Sequence, residues 1–210
     1  MPTSGPTREF SRKRITLTEF AKKLIHWSQQ NGRTDLPWQQ NPTAYRVWVS
    51  EVMLQQTQAS TVVPYFNRFL SRFPTLPQLA KASEDEVLEC WSGLGYYRRA
   101  RHLRTAAIEI VEKHNGQVPA SVDALARLPG IGRSTAGSSV ARAFKRTATI
   151  LDSNVRRVLS RFYAVDGKRG AAKTEKQLWS HAEANTPAKQ VDLYTQAIIC
   201  LLYTSDAADE

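Results

Sequence analysis

Apolar residues recur every three or four positions along nearly the whole chain, and this recurrence predicts helices. Tyr45, Trp48, Val49, Val52 and Met53 form one stripe. Leu103, Ala106, Ala107, Ile110 and Val111 form a second, and Val155, Val158, Leu159 and Phe162 a third. Alternating patterns joined by hairpin turns, the mark of paired strands, are missing. Turn residues fall between the stripes, at Asn41-Pro42, Phe73-Pro74, Gly93-Leu94-Gly95, Val118-Pro119, Pro129-Gly130 and Gly167 to Gly170. The pattern predicts an all-α protein of about ten helices. One helix is expected over Tyr45 to Ser60 and another over Val155 to Val165.

The ends read differently. Met1 to Arg14 is polar and basic with no apolar segment behind it, so it is not a secretory signal and is expected to be a disordered arm. Tyr203 to Glu210 is small and acidic, with no stripe to continue a helix ending near Leu202. It reads as a frayed end or as sequence foreign to the gene.

Composition narrows the class. Hydrophobic residues make up 41% of the 210 positions, enough for a substantial core. The net charge of +10 makes a polyanion the first candidate partner, nucleic acid above all, although a basic protein without that role stays open. Two cysteines, Cys90 and Cys200, exclude both a disulfide framework and a four-thiolate metal site within the chain. Two thiols in apolar helical patterns suit a reduced, cytoplasmic protein. No apolar run approaches the roughly 20 residues that span a bilayer, so no membrane partner is expected.

Leu128-Pro-Gly-Ile-Gly-Arg-Ser-Thr-Ala-Gly137 is the most specific local motif. A short helix, Val122 to Arg127, should end at Pro129. Gly130 and Gly132 allow a tight turn with outward amides, and a second helix should open near Ser134. Ala136, Gly137, Ser138 and Ser139 would let that helix pack closely on the first. Free amides at a helix N-terminus suit a DNA phosphate and are blind to base sequence. A glycine-containing helix hairpin without a ligand is the alternative. The pattern resembles the helix-hairpin-helix DNA-binding motif.

Two carboxylates carry candidate chemistry. Glu51 is expected among Val47, Trp48, Val52 and Leu54, with Gln55 and Gln58 on the same helix edge. Apolar surroundings would raise its pKa and suit it to general-acid work. The alternative is a half-exposed Glu bonded to Gln55. Asp152 precedes a helix and, as its N-cap, would be held ionised by amides and the helix end. One raised and one depressed carboxyl make the pair that glycosyl hydrolysis uses; a plain N-cap is the other reading.

Several stretches together resemble the MutY-type adenine DNA glycosylases of the endonuclease III superfamily. They are Leu36-Pro-Trp38, Tyr45 to Gln58, Gly93-Leu-Gly-Tyr-Tyr97, Leu128 to Gly137 and Ile150 to Val158, in the family order across about residues 16 to 199. The resemblance implies a six-helix barrel over residues 36–146, with the helix-hairpin-helix at 122–144. It implies a second helical domain from 15–35 and 147–202, the family's cluster domain and incomplete here. It implies hydrolysis of adenine from a mispair with 8-oxoguanine or guanine. Glu51 would protonate the extruded base, Asp152 would stabilise the oxocarbenium-like sugar, and Asn154 would orient the reacting centre. Trp38 and Ser134 would line the adenine pocket, although a core role for Trp38 stays open. Gln55, Gln56, Tyr96, Gly130, Gly132, Arg133, Ser134 and Thr135 would meet DNA, with Gln56 and Tyr96 wedging into the duplex. The basic run Arg98, Arg99, Arg101 beside Tyr96 could equally be a solvated face.

Ser134 stands where strand-cutting members carry the lysine that attacks the sugar, and a hydroxyl forms no Schiff base. Arg156, where some adenine glycosylases have lysine, points the same way. The implied partner is double-stranded DNA bearing a mispaired adenine, met by a monomer in the bacterial cytosol. The family's [4Fe–4S] cluster is expected from the resemblance, but its four cysteines are absent. The chain therefore reads as truncated before the cluster loop and without the 8-oxoguanine-recognising domain. A DNA-binding fragment with weak catalysis, or a glycosylase-lyase on oxidised pyrimidines, are the competing readings.

Overall fold

In the computed structural model, which describes residues 17–168 and 170–205, all the regular structure is helical. The elements are α1 (Leu17–Asn31), α2 (Ala44–Met53), α3 (Ala59–Arg72), α4 (Leu76–Lys81), α5 (Glu84–Trp91), α6 (Arg98–Lys113), α7 (Val122–Ala126), α8 (Arg133–Phe144), α9 (Ser153–Tyr163), α10 (Ala172–Asn185) and α11 (Val191–Ser205). Each predicted turn lies between helices. The basic arm, residues 1–14, and residues 206–210 lie outside the described residues. Helix α11 runs to Ser205, past the expected stop at Leu202.

Local chemistry sets several boundaries. The Thr43 hydroxyl accepts from the Arg46 amide at 3.2 Å and starts α2. Ser83 and Glu86 form a reciprocal capping box that starts α5. Lys145 and Ala164 take left-handed backbone where α8 and α9 end.

The single helix expected over Tyr45 to Ser60 is wrong. Helix α2 ends at Met53, and α3 begins at Ala59. Between them Gln56 adopts φ +59°. The guanidinium of Arg99 gathers the carbonyls of Val52, Met53 and Gln55, and so draws this turn away from a continued helix.

Apolar side chains collect in two cores. The first draws on α2 to α8, together with Trp38, Ala148 and Val191. At its centre Trp48, Phe66, Phe69 and Trp91 are fully buried, and Phe69 meets Trp91 edge to face at 5.9 Å. Burying each phenylalanine contributes about 1.5–3 kcal/mol. The second core joins α1, α9, α10 and α11 with Ile150 and Leu151. Helix α11 also packs on α8, so the two cores share a seam.

Two expected stripe residues face outward. Val111 sits one position past the buried Ile110, at the edge of its stripe, and is 37% exposed. Phe162 is 43% exposed and packs its ring on Phe20 and Tyr163 instead.

Candidate active site

A cavity of about 990 Å³ opens along the seam. Glu51 and Asp152 both line it, with Trp38, Gln55, Gln56, Tyr96, Gly132, Ser134, Thr135 and Asn154. The two carboxylates stand 101 positions apart in sequence and reach one cleft from different cores: Glu51 on α2, Asp152 on the segment that leads into α9.

Asp152 is the N-cap of α9 and accepts from the Val155 amide at 2.8 Å. The expectation of a depressed pKa fails all the same. Burial pushes the Asp152 carboxyl above its usual value, and the nearby Glu51 carboxylate pushes the same way. The Val155 and Asn154 amides and the Arg156 guanidinium oppose the shift without reversing it. Arg156 itself is ion-paired with Glu175 and donates to the Leu151 carbonyl at 3.4 Å.

The surroundings of Glu51 differ from the expected apolar ones. Its carboxylate is ion-paired with Arg142 of α8, and the two side chains are only 12% and 9% exposed. Gln55 and Gln58 do not share its helix edge, because α2 has already ended. Gln55 turns towards the hairpin and donates to the Thr135 hydroxyl at 3.3 Å and to the Gly130 carbonyl at 3.4 Å. Sequence reading missed Arg142. A signal was present: Thr135, Ser138 and Arg142 recur at helical spacing, and all three line the cleft.

The helix hairpin is formed by α7 and α8. Gly130 adopts φ +75° against His102, whose ring leaves no room for a side chain. Gly132 caps α8 with no side chain bonded to the first amides, and space for a Cβ there is open. The close approach at Gly137 is not to α7 as expected. A Cβ there would lie 2.4 Å from the Thr149 carbonyl oxygen. Two residues further on, the Ser134 hydroxyl accepts from the Leu151 amide at 3.0 Å. The first turns of α8 thereby pin the segment that delivers Asp152. The Arg133 side chain leaves the cleft, lies over the Trp179 ring at 3.8 Å and pairs with Glu183.

Trp38 is 2% exposed and meets Phe66 edge to face at 5.4 Å, so it is a core residue whose edge forms cleft wall. Gln56 and Tyr96 are exposed and both take left-handed backbone, φ +59° and +52°, uncommon for side chains of their size. Arg99, in the run that could have been a solvated face, is buried at 8% exposure.

The iron–sulfur cluster tied to the resemblance needs four thiolates. The sequence holds Cys90 and Cys200 alone. Among the described residues no group of three or more His, Cys, Asp or Glu side chains is gathered to hold a metal. The residues present do not fit the cluster. No helix among the described residues is long and apolar enough to cross a membrane.

Comparison with known proteins agrees with this architecture. Residues 49–184 match the family described as HhH-GPD superfamily base excision DNA repair protein. The chain is 42% identical over 180 residues to the adenine DNA glycosylase of Buchnera aphidicola subsp. Acyrthosiphon pisum, covering 86% of this chain and 51% of that protein. It is 43% identical over 176 residues to the adenine DNA glycosylase of Rattus norvegicus, covering 80% and 34%. The chain thus spans about half the length, or less, of the curated relatives it matches. Among solved structures, a thermostable thymine-DNA glycosylase superposes with a TM-score of 0.78 at 23% identity, covering 88% of this chain and 84% of that one. A trapped endonuclease III–DNA covalent intermediate superposes at 0.71 and 20% identity, covering 85% and 81%. From its helices, its hairpin and its sequence, the chain belongs to the HhH-GPD superfamily of base excision DNA repair proteins.

Proposed function

We propose that the protein is an adenine DNA glycosylase that hydrolyses the N-glycosidic bond of adenine mispaired with 8-oxoguanine or guanine, without cutting the strand. The observation that carries this reading is the pair Glu51 and Asp152 in one cleft, close enough for one charge to act on the other. Relatives named adenine DNA glycosylase support the choice of base.

In this reading adenine leaves the duplex and enters the cleft, since the reacting bond cannot be reached inside a base stack. Glu51 gives a proton to the ring as the bond to the sugar breaks, and the bonding electrons stay with the base. Arg142 holds the carboxylate in place. Asp152, ionised, faces the cationic sugar, and its amide bonds keep it there with Asn154 beside it. Water then adds to the sugar carbon and passes its proton to the Glu51 carboxylate, which restores the acid and leaves an abasic site. Ser134 offers no amine for a Schiff base and instead braces the Asp152 segment. The hairpin amides at Gly132 and Arg133 would take a phosphate, Gln56 and Tyr96 would wedge into the duplex, and Thr135 would flank the strand. The reading carries with it two helical domains divided at about residues 36 and 146, a monomer, and a place beside the bacterial nucleoid.

Duplexes with adenine opposite 8-oxoguanine or guanine, treated with purified protein and then hot alkali, should break at the adenine. Asp152→Asn should abolish the break while DNA binding persists. Binding without abasic product from the native protein would leave a DNA-binding fragment. A borohydride-trapped protein–DNA adduct would instead mean lyase chemistry.

A further inference from the structure

Arg99 is a buried cation bound almost wholly to backbone. Its Nη1 donates to the carbonyls of Val52 at 3.3 Å, Met53 at 2.6 Å and Gln55 at 2.6 Å. Its Nη2 donates to the Gly95 carbonyl at 3.2 Å. The guanidinium lies 5.5 Å from the Trp91 ring centre and 5.1 Å from that of Tyr96. Two of the acceptors, Val52 and Met53, close α2 and a third, Gln55, lies in the turn that carries Gln56; the fourth, and the Tyr96 ring, belong to the loop between α5 and α6. The Trp91 indole adds a bond to the same Gly95 carbonyl at 3.1 Å.

Each tied segment bears an exposed residue in left-handed backbone, Gln56 and Tyr96. Neither backbone conformation is self-sustaining, because both cost energy for a residue with a side chain. Both residues line the cleft that holds Glu51. A planar fork that binds carbonyls on both sides fixes the spacing between the two segments before any ligand arrives. Lysine would bring one compact ammonium and could not span the same acceptors.

We propose that Arg99 is a positioning residue for base extrusion: it clamps the Gln56 turn to the Tyr96 loop, so that the two exposed side chains meet the duplex as one rigid wedge. The proposal rests on the glycosylase reading above and assigns Arg99 no contact with the reacting atoms. It separates two stages that activity alone merges, because a clamp acts on extrusion and leaves the carboxylate chemistry alone.

The test compares the native protein with Arg99→Met and Arg99→Lys under single turnover on two duplexes. In one, adenine faces guanine; in the other it faces an abasic gap, where no partner base holds it. Misplaced positioning groups can slow a reaction on the order of 100-fold. A loss of that size is expected for Arg99→Met on the mispair, with most of it recovered opposite the gap, and Arg99→Lys should resemble Arg99→Met. Because each ratio comes from one protein sample, partial unfolding cancels. An equal loss on both duplexes, or no loss on either, overturns the proposal. A parallel measurement places 2-aminopurine at the target position and reads its fluorescence on binding. The native protein should raise it, and Arg99→Met should raise it less. If the native protein releases no adenine, the glycosylase reading falls, and the fluorescence still decides: equal signals from the two proteins overturn the clamp.

Discussion

At Asp152 local and global forces point in opposite directions. Capping amides favour the anion, while burial in the cleft and the charge of Glu51 disfavour it, and the second group wins. The sign for stability follows. A carboxyl whose pKa rises on folding contributes its full stability below the unfolded value and loses it as pH climbs through the folded one. Ionised Asp152 therefore works against the fold near neutral pH. Asparagine keeps the shape and the capping oxygen but drops the charge. Asp152→Asn should melt at a higher temperature than the native protein near neutral pH. The gap should close as pH falls towards the usual carboxylate range, and calorimetry across pH would show it. A variant that melts lower at neutral pH would mean that the lost cap geometry outweighs the removed charge. Glu51→Gln keeps the Arg142 contact sterically but has no proton to give. It should slow single-turnover base release by about 10²–10⁴-fold.

Among the elements, α8 does most to join fold and site. One of its faces fills the first core with Ala136, Val140 and Ala141, another presents Thr135, Ser138 and Arg142 to the cleft, and Gly137 takes the carbonyl of Thr149. A methyl at Gly137 has nowhere to go, because its obstacle is backbone. Gly137→Ala should lower stability by about 1–3 kcal/mol, as overpacking does. It should also displace Asp152, three residues beyond Thr149, and slow turnover by about tenfold or more, beyond what the stability loss explains. Denaturant titration beside single-turnover rates would separate the two effects. The same geometry explains what the sequence could reveal. The stripes of α2, α6 and α9 and the Asp152 cap are contacts within one or two turns, so periodicity and spacing expose them. The end of α2 depends on Arg99, 46 positions from Met53, and the partner of Glu51 is 91 positions away. No local pattern reports such pairs. The rise in the Asp152 pKa was hidden for the same reason, since the cleft that buries it is assembled from distant segments.

For the whole molecule, the cleft lies where two cores meet, and the net charge of +10 supplies a long-range pull towards a polyanion. Two kinds of grip on DNA coexist in the proposed complex, and salt distinguishes them. Exposed cations at the rim, Arg33 and Arg98, release counterions when they meet phosphate. Each such contact steepens the logarithmic salt slope by about 0.9. The hairpin grip at Gly132 uses uncharged amides and contributes affinity with little slope. Arg98→Ala should therefore weaken binding most at low salt and flatten the slope by about one, measured by fluorescence anisotropy between roughly 50 and 200 mM salt. Gly132→Ala is the counterpart. Its φ of −84° suits alanine, and its Cβ would enter open space, so the fold should be undisturbed. The added methyl would occupy the approach of the phosphate. Affinity should fall at every salt concentration by a similar factor, with slope and melting temperature unchanged. If Gly132→Ala binds as tightly as the native protein, the hairpin is a structural corner and the rim cations hold the duplex alone.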